Sequence, residues 1–240
     1  MKSTSTYWMR SMANEFKFDR NSQRYRISSG AGKGQFLSKE AVDALTQKTI
    51  RQAKDDLKTI GNLLLKRKIS VGTWEEATAK TLKTIEINQY AIGKGGSGRL
   101  NQRDYGLIGQ RLKEQYRYLR GFSEDLIAGK LTEGQLWQRL NLYAADTRHA
   151  YELARTESHA QDGYNWERRL RHARDSCSPC IDYAAQGWQA IRSLPNPGDR
   201  CTCGSSCKCT KEFAKEKPGD MLSRRWGMIG HRISHHLKAS

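Results

Sequence analysis

The stretch Cys177-Ser-Pro-Cys180, followed by Cys201-Thr-Cys203-Gly-Ser-Ser-Cys207-Lys-Cys209, contains all six cysteines of this chain. A pair separated by two residues, with a second cluster about twenty residues later, is the spacing of a tetrahedral thiolate site. Such a closed site would hold together a segment that is too short and too polar to form a core of its own. This stretch therefore predicts a small lobe that is stapled by a metal ion.

The cysteines outnumber the ligands of one zinc ion, because Zn²⁺ takes four. The first pair together with Cys203 and Cys207 is the favoured set. Cys209 is the substitute ligand, since residues two apart in an extended chain point to opposite sides, and Cys201 is extra. Complete thiolate ligation leaves no open position, which indicates a structural zinc rather than a catalytic one. The candidate metal ligands are Cys177, Cys180, Cys203, Cys207 and Cys209.

Two alternatives use the same cysteines. An iron–sulfur cluster takes the same ligands, and disulfides would be favoured only outside a reducing compartment. The N-terminus lacks the apolar segment of a secretory signal, and no run of about 18 apolar residues predicts a membrane span. We therefore expect synthesis in a reducing cytoplasm and no membrane partner. Three basic residues are expected to offset the thiolate charge: Arg174, Arg200 and Lys208.

The composition is strongly basic. Lys and Arg number 42 against 25 Asp and Glu, which gives a formal net charge of +17. Such an excess usually means a polyanionic partner, most often nucleic acid, and the alternative is a solubilising surface. Only 37% of the residues are hydrophobic, which favours amphipathic helices with solvated outer faces.

Apolar residues recur at helical spacing over residues 38–165. They predict four helices, and the short connections between them favour antiparallel neighbours. The second helix is expected to end near Ile92, with residues 93–98 as a flexible linker. The fourth is expected to extend past His159 as one helix. The predicted helix starts are Ser38, Thr73 with Glu76, Asn101, and Thr132 with Gln135.

The fold class predicted by these patterns is mostly α. An antiparallel helical bundle is followed by a small α+β zinc-stapled lobe with short strands over 166–173 and 188–194. A hairpin within a basic arm precedes the bundle, because short alternating segments flank a glycine-rich turn. The predicted domains are 1–37 for the basic N-terminal arm or hairpin, 38–165 for the bundle, 166–213 for the zinc-binding lobe and 214–240 for a basic tail.

Several short motifs follow one another in the second half of the chain: Ala154-Arg-Thr-Glu157, the Cys177–Cys180 pair preceded by Asp175, Pro195-Asn-Pro-Gly198 and Cys207-Lys-Cys209. This ordered series resembles the phage Mu F-like head morphogenesis, or minor capsid, family. That family carries an Ala-Arg-Thr-Glu helix, an Asp before a Cys-x-x-Cys, a proline-rich turn and a closing Cys-Arg-Cys or Cys-Lys-Cys. Many relatives have a His-Pro ahead of the last cysteines, whereas the candidate ligand here is Cys203.

The resemblance covers about residues 130–213. It implies a non-enzymatic minor component of the procapsid that sits beside the portal and assists assembly, DNA packaging or ejection. The implied partners are the portal protein, the major capsid protein or both, together with double-stranded DNA bound without sequence preference. No small-molecule substrate is implied. The implied location is the virion, in the capsid interior near the portal, with the host cytoplasm during assembly.

Signatures of catalysis are missing from the sequence, which contains no His-Glu-x-x-His, no Gly-x-Ser-x-Gly and no zinc-deaminase motif. We therefore expect no enzyme. One alternative function is a sequence-independent DNA-binding protein with zinc knuckles. A third is a metal-dependent nuclease or toxin-like effector that uses the histidines of the tail, His231, His235 and His236.

Arg155 and Glu157 do not form a catalytic pair by themselves, because residues two apart on a helix do not face each other. Two interpretations remain open at this point. Arg155 braces the zinc lobe by pairing with Asp175 or Asp182, or both residues belong to a solvated helix face.

Overall fold

The computed structural model of this chain describes residues 16–19, 22, 24–29 and 33–219. The described residues are mostly helical and include two small antiparallel sheets and a cysteine cluster, which confirms the predicted fold class. The beginning of the predicted N-terminal arm lies outside the described residues, and so does nearly all of the predicted basic tail with its three histidines. Within the described residues, no helix is both long enough and apolar enough to cross a bilayer.

The chain divides into two compact units. The first comprises Met1–Ser158 with Gly204–Ser206, and it contains a small sheet and the long helices. The second comprises His159–Cys203 with Cys207–Ser240, and it contains a second sheet, a short helix and all six cysteines.

The first unit begins with the predicted hairpin. Strands β1 (Phe16–Asp19), β2 (Arg24–Ile27) and β3 (Phe36–Leu37) pair antiparallel in that order. The buried ring of Phe16 packs edge-on against Tyr25, with ring centroids 5.8 Å apart. The Tyr25 hydroxyl donates a hydrogen bond of 2.9 Å to the carbonyl of Ile92. This contact fastens the sheet to the helices of the same unit.

Side-chain caps start the helices of the first unit. Ser38 accepts a hydrogen bond from the Ala41 amide, as predicted. Asn101 and Thr132 each begin a capping box, which satisfies two backbone amides that a helix start otherwise leaves unpaired. The helices are α1 (Lys39–Leu65), α2 (Val71–Lys94), α3 (Gln102–Ile127), α4 (Glu133–Asp146) and α5 (Arg148–Gln161).

The predicted capping box of Thr73 with Glu76 is wrong. Helix α2 starts one turn earlier, because Ser70 is the cap and accepts a hydrogen bond from the amide of Thr73. The predicted linker over residues 93–98 is also wrong at its beginning. Gly93 and Lys94 belong to α2, and only Gly95 leaves it, in the left-handed conformation at φ 89°.

The expectation of one long fourth helix is wrong as well, because the chain breaks between α4 and α5 at Thr147. The hydroxyl of this residue donates a 2.7 Å hydrogen bond to the carbonyl of Ala144. A helix would otherwise use that carbonyl to accept from the amide of Arg148, so the threonine competes with the regular pattern.

The helices enclose apolar clusters. In the largest, α1, α2, α3 and α4 contribute residues of which Trp74 and Phe122 are the bulkiest, with ring centroids 5.2 Å apart and perpendicular planes. Apolar residues at helical spacing in these four helices thus form this cluster. The main buried members are Ile50, Ala53, Leu57, Trp74, Leu82, Ile85, Leu119, Phe122, Leu136 and Leu140.

Candidate metal centre

A three-stranded antiparallel sheet carries the cysteines of the second unit. Strand β4 (Trp166–Leu170) is central, with β5 (Gln189–Ala190) on one side and β6 (Thr210–Ala214) on the other. The predicted strand over 166–173 is confirmed over Trp166–Leu170, and the one over 188–194 is confirmed only as two residues. Strand β6 pairs along the whole of β4. Cys209 immediately precedes β6 in the chain, so it lies at the start of this paired strand.

The first cysteine pair lies at the start of a helix that the sequence did not predict, α6 (Ser178–Ala185). Cys177 is the N-cap, Pro179 occupies the first turn, and Cys180 follows it. Proline suits the first turn of a helix, because its missing amide would be unpaired there in any case. The Ser-Pro pair therefore starts a helical turn, in which the Cys177 and Cys180 thiols lie within 4.8 Å of each other.

The second cysteine group lies in irregular backbone ahead of β6. A short 3₁₀ turn, Gly204–Ser206, separates Cys203 from Cys207, and Gly204 has a φ of 47°. The expectation that Cys207 and Cys209 point to opposite sides is wrong, because neither residue lies in a strand. Both thiols are buried and lie within 4.8 Å of the Cys180 thiol.

The sulfur atoms of all six cysteines meet in one cluster. The Sγ of Cys203 lies 3.4 Å from that of Cys177, 3.6 Å from that of Cys180 and 3.4 Å from that of Cys201. The Sγ atoms of Cys180 and Cys207 are 3.7 Å apart. Four sulfurs at 2.3 Å from a tetrahedral zinc would be about 3.8 Å from one another. All six cysteines are free thiols, and their separations suit a shared metal ion.

The structure therefore brings together the five predicted ligands and also Cys201, which the sequence interpretation set aside. In two sets of these cysteines, all Sγ atoms lie within 4.8 Å of one another. One is Cys177, Cys180, Cys201 and Cys203; the other is Cys180, Cys207 and Cys209. The cluster could hold a metal ion. In the part of the chain that the structure describes, only cysteines form such groups.

Polar contacts favour the thiolate form at one edge of the cluster. Partial burial raises the pKa of the Cys177 thiol, but hydrogen bonds from the amides of Cys180 and Cys203 and from the Thr202 hydroxyl outweigh it. The result is a pKa of about 6. A thiolate is the form that binds a metal ion, so Cys177 is prepared as a ligand near neutral pH.

A buried arginine, which the sequence interpretation missed, supplies positive charge to the cluster. Burial raises the pKa of the Cys209 thiol, and the charge of Arg169 opposes this. Arg169 is only 2% exposed, lies over the ring of Tyr183 and donates a hydrogen bond to the Pro195 carbonyl. The sequence pointed to Arg174, Arg200 and Lys208 for this role instead. The alternation in β4 was the available signal, because Glu167 and Arg169 share one face.

A buried ion pair joins the strands that flank the cysteines. Lys211 Nζ lies 3.0 Å from Glu167 Oε2, and both side chains are at most 1% exposed. The amide of Leu194 donates to Glu167 at 2.8 Å, and Lys211 donates to the Leu194 carbonyl at 2.7 Å. These three contacts close a ring that connects β4, β6 and the start of the proline-containing turn.

Residues of the Ala154-Arg-Thr-Glu157 motif are buried in the first unit, so the interpretation as a solvated helix face is wrong. Arg155 pairs with Glu152 at 3.3 Å and is 16% exposed, and Glu157, 7% exposed, pairs with Arg103 at 3.6 Å. The pairing of Arg155 with an acid of the lobe stays a prediction.

Fold and site together define a mostly helical protein with a cysteine-rich lobe that could hold metal. Comparison with protein-family models, with curated proteins and with solved structures gave no match to this chain. The function is therefore inferred from the chain's own residues.

Proposed function

We propose that this chain is a non-enzymatic head morphogenesis, or minor capsid, protein of a phage, and that its cysteine cluster holds structural Zn²⁺. It acts beside the portal during procapsid assembly and during DNA packaging or ejection. The observation that carries the proposal is the cysteine cluster in its sequence context, an Ala-Arg-Thr-Glu helix before it and a proline-containing turn inside it.

The chemistry of the cluster supports zinc as the metal. Every candidate ligand is a cysteine, and thiolates select zinc or iron–sulfur clusters over hard cations. Zinc imposes only the tetrahedral arrangement that these sulfur separations match. An all-thiolate shell leaves no position for a reacting water, so the role is to stabilise the lobe.

Placement of the motifs supports the head morphogenesis role. The Ala-Arg-Thr-Glu residues lie on α5, the Cys-x-x-Cys starts α6, and the Cys-Lys-Cys leads into β6. The carbonyl of Pro195 in the proline-containing turn accepts a hydrogen bond from Arg169 beside the cluster. The net charge of +17 suits a position along the path of packaged DNA.

A second candidate function, DNA binding without sequence preference in another system, is favoured by one surface of α3. Lys113, Arg117 and Arg120 are exposed and spaced four and three residues apart, so they share one stripe. Tyr118 beside them is 57% exposed, and the Arg117 guanidinium lies 4.7 Å from the centre of its ring. Basic residues with an exposed aromatic ring suit contact with phosphates and bases.

Metal analysis of protein purified under reducing conditions tests the zinc site. We expect at least one zinc per chain. A chelator should lower the thermal stability of the lobe while most of the helical circular dichroism persists, because all six cysteines lie outside the apolar clusters of the helical unit. If the purified protein contains no metal and the chelator does not change its unfolding temperature, the zinc part of the proposal is wrong.

Assembly with phage structural proteins tests the biological role. A tagged chain, co-expressed with the portal and major capsid genes of its own genome, should co-purify with portal or procapsids after nuclease treatment. The DNA-binding alternative predicts that nuclease abolishes this association. Heads that assemble, fill with DNA and infect equally well without the chain would reject the capsid role.

A further inference from the structure

The two thiol groups of the cluster share one member, Cys180, which is completely buried. We propose that the site holds two zinc ions bridged by thiolates, rather than the single ion that the spacing of the cysteines suggested. This inference rests on the proposed zinc site and specifies its nuclearity and the role of each cysteine.

Two sulfur atoms lie at the centre of the cluster. The thiol of Cys180 interacts with those of Cys177, Cys203, Cys207 and Cys209. The thiol of Cys203 interacts with those of Cys177, Cys180, Cys201 and Cys207. The central pair is 3.6 Å apart, which is the edge that two zinc tetrahedra can share. Cys177 and Cys201 lie within 4.8 Å of both central sulfurs, and Cys207 and Cys209 lie within 4.8 Å of the Cys180 sulfur.

The assignment of ligands follows from these neighbours. Cys177 and Cys201 are the terminal ligands of the first ion, and Cys207 and Cys209 are those of the second. Cys180 and Cys203 bridge both ions, so that each zinc has four sulfurs. All six cysteines then have a role, including Cys201.

Binding of one zinc would leave two cysteines of the cluster without metal. In the favoured single-ion set, these would be Cys201 and Cys209, and Cys209 is only 3% exposed. A second Zn²⁺ uses both and still leaves the cluster with a net charge of roughly −2, equal to that of one zinc on four thiolates. The buried guanidinium of Arg169 acts on Cys209, at the second ion's end, and stabilises this remaining charge.

Zinc content, measured by elemental analysis against protein concentration on reduced, unchelated protein, separates the possibilities. Two zinc ions per chain are expected. One zinc per chain would overturn the bridged site and leave the proposed structural zinc intact. A chain free of zinc would overturn both. X-ray absorption at the zinc edge should also show a second zinc at roughly 3 Å, the separation that 2.3 Å bonds to a shared sulfur edge impose.

Cadmium provides the test of bridging. Protein loaded with ¹¹³Cd should give two NMR resonances that split each other, since a shared thiolate couples the two nuclei. Two unsplit resonances, or one, would overturn the proposal. These measurements use the unaltered chain, so they do not depend on whether a cysteine variant folds.

Paired substitutions then assign the ends of the cluster. The double variant Cys207→Ser with Cys209→Ser should keep one zinc and lose the splitting, and Cys177→Ser with Cys201→Ser should do the same from the other end. Ser206→Ala, an exposed change directly before Cys207, should keep two zinc ions. Loss of all zinc in both double variants, with two zinc ions retained by the Ser206 variant, would overturn the assignment of two separable ends.

Discussion

Glu167 and Lys211 form an ion pair that is completely enclosed by the second unit, with Nζ and Oε2 3.0 Å apart. The two residues are not directly opposite each other in the sheet, since Glu167 pairs with Phe213 and Lys211 with Arg169 in the β4–β6 register. Their diagonal contact, together with Leu194, holds the turn that precedes the second cysteine group.

Breaking this pair should destabilise the lobe strongly. Lys211→Met leaves the Glu167 carboxylate buried without its cation, and we expect a loss of roughly 3–5 kcal/mol in the free energy of unfolding. Chemical denaturation measures this loss. The matched control is Arg168→Met, which removes an exposed pair with Glu212 on the same strands and should cost at most about 1 kcal/mol. Equal losses in the two variants would show that burial of the pair is unimportant.

A methyl group at Gly93 should separate two helices of the first unit. A Cβ built there would lie 2.2 Å from the backbone oxygen of Tyr151 and 2.8 Å from the Cβ of Ala154. Gly93→Ala is therefore expected to cost roughly 1–3 kcal/mol, as overpacking usually does. Thermal unfolding provides the measurement.

Gly121 on α3 is the control for this change, because a Cβ there has nothing within 4 Å. Gly121→Ala should raise stability by up to about 1 kcal/mol through helix propensity alone. If both variants gained stability, the close approach of α2 to α5 at Gly93 would be contradicted.

Acid should remove a stabilising contribution of Asp146. Burial opposes ionisation of this carboxyl, but the hydrogen bond and charge of His149, the charge of Arg111 and a hydrogen bond from Gln115 outweigh it and lower its pKa to about 2. A lowered folded pKa stabilises the fold above the unfolded value near 4 and loses that effect as pH falls toward 2.

Asp146→Asn should therefore cost about 1 kcal/mol at pH 7, a value reduced by screening because the side chain is 38% exposed. The difference between variant and parent should shrink as the pH falls from 4 to 2. Denaturant unfolding at several pH values measures this. A penalty that stays constant down to pH 2 would contradict the lowered pKa.

The basic stripe on α3 should contribute to DNA binding. Replacing Lys113, Arg117 and Arg120 with serine should weaken binding and make it less dependent on salt, by up to about 0.9 in the logarithmic slope for each lost phosphate contact. Fluorescence anisotropy with a labelled duplex at several salt concentrations gives both quantities.

An equal change of charge on α1 is the control for the stripe. Lys48, Arg51 and Lys58 are also exposed and share one helix face, but Asp55 lies among them. The α1 triple variant should bind more tightly than the α3 triple variant. Identical binding by the two variants would indicate attraction by net charge rather than by the α3 stripe.

The helices were predictable because periodicity and caps act over a few residues. Ser38, Asn101 and Thr132 were identified as caps from the sequence, since a cap needs only a side chain and the amide three residues later. The break at Thr147 was not, because the helical stripe continues across it and only the hydroxyl contact with Ala144 interrupts the backbone.

The burial of charged side chains could not be predicted from the sequence, for a different reason. Lys94 pairs with Asp104 at 2.9 Å, and both side chains are at most 1% exposed. In the sequence the lysine stands in a glycine-rich segment that resembles a flexible linker. A charged residue gives no local sign that its partner will be desolvated with it, because burial is a property of the packed chain.

The sequence alone determined that thiols from two separated segments would meet, because two short cysteine spacings around a polar segment leave few other ways to stabilise it. Only the tertiary structure decided that all six sulfurs share one cluster, that the charge of Arg169 acts on Cys209, and that Glu167 and Lys211 form a buried pair between β4 and β6. The physical reason is that spacing limits which thiols can reach one another. The number of thiols that meet, and the charged residues near them, depend on how β4 and β6 pair. These strands are far apart in sequence, as the 44-residue separation of Glu167 and Lys211 shows.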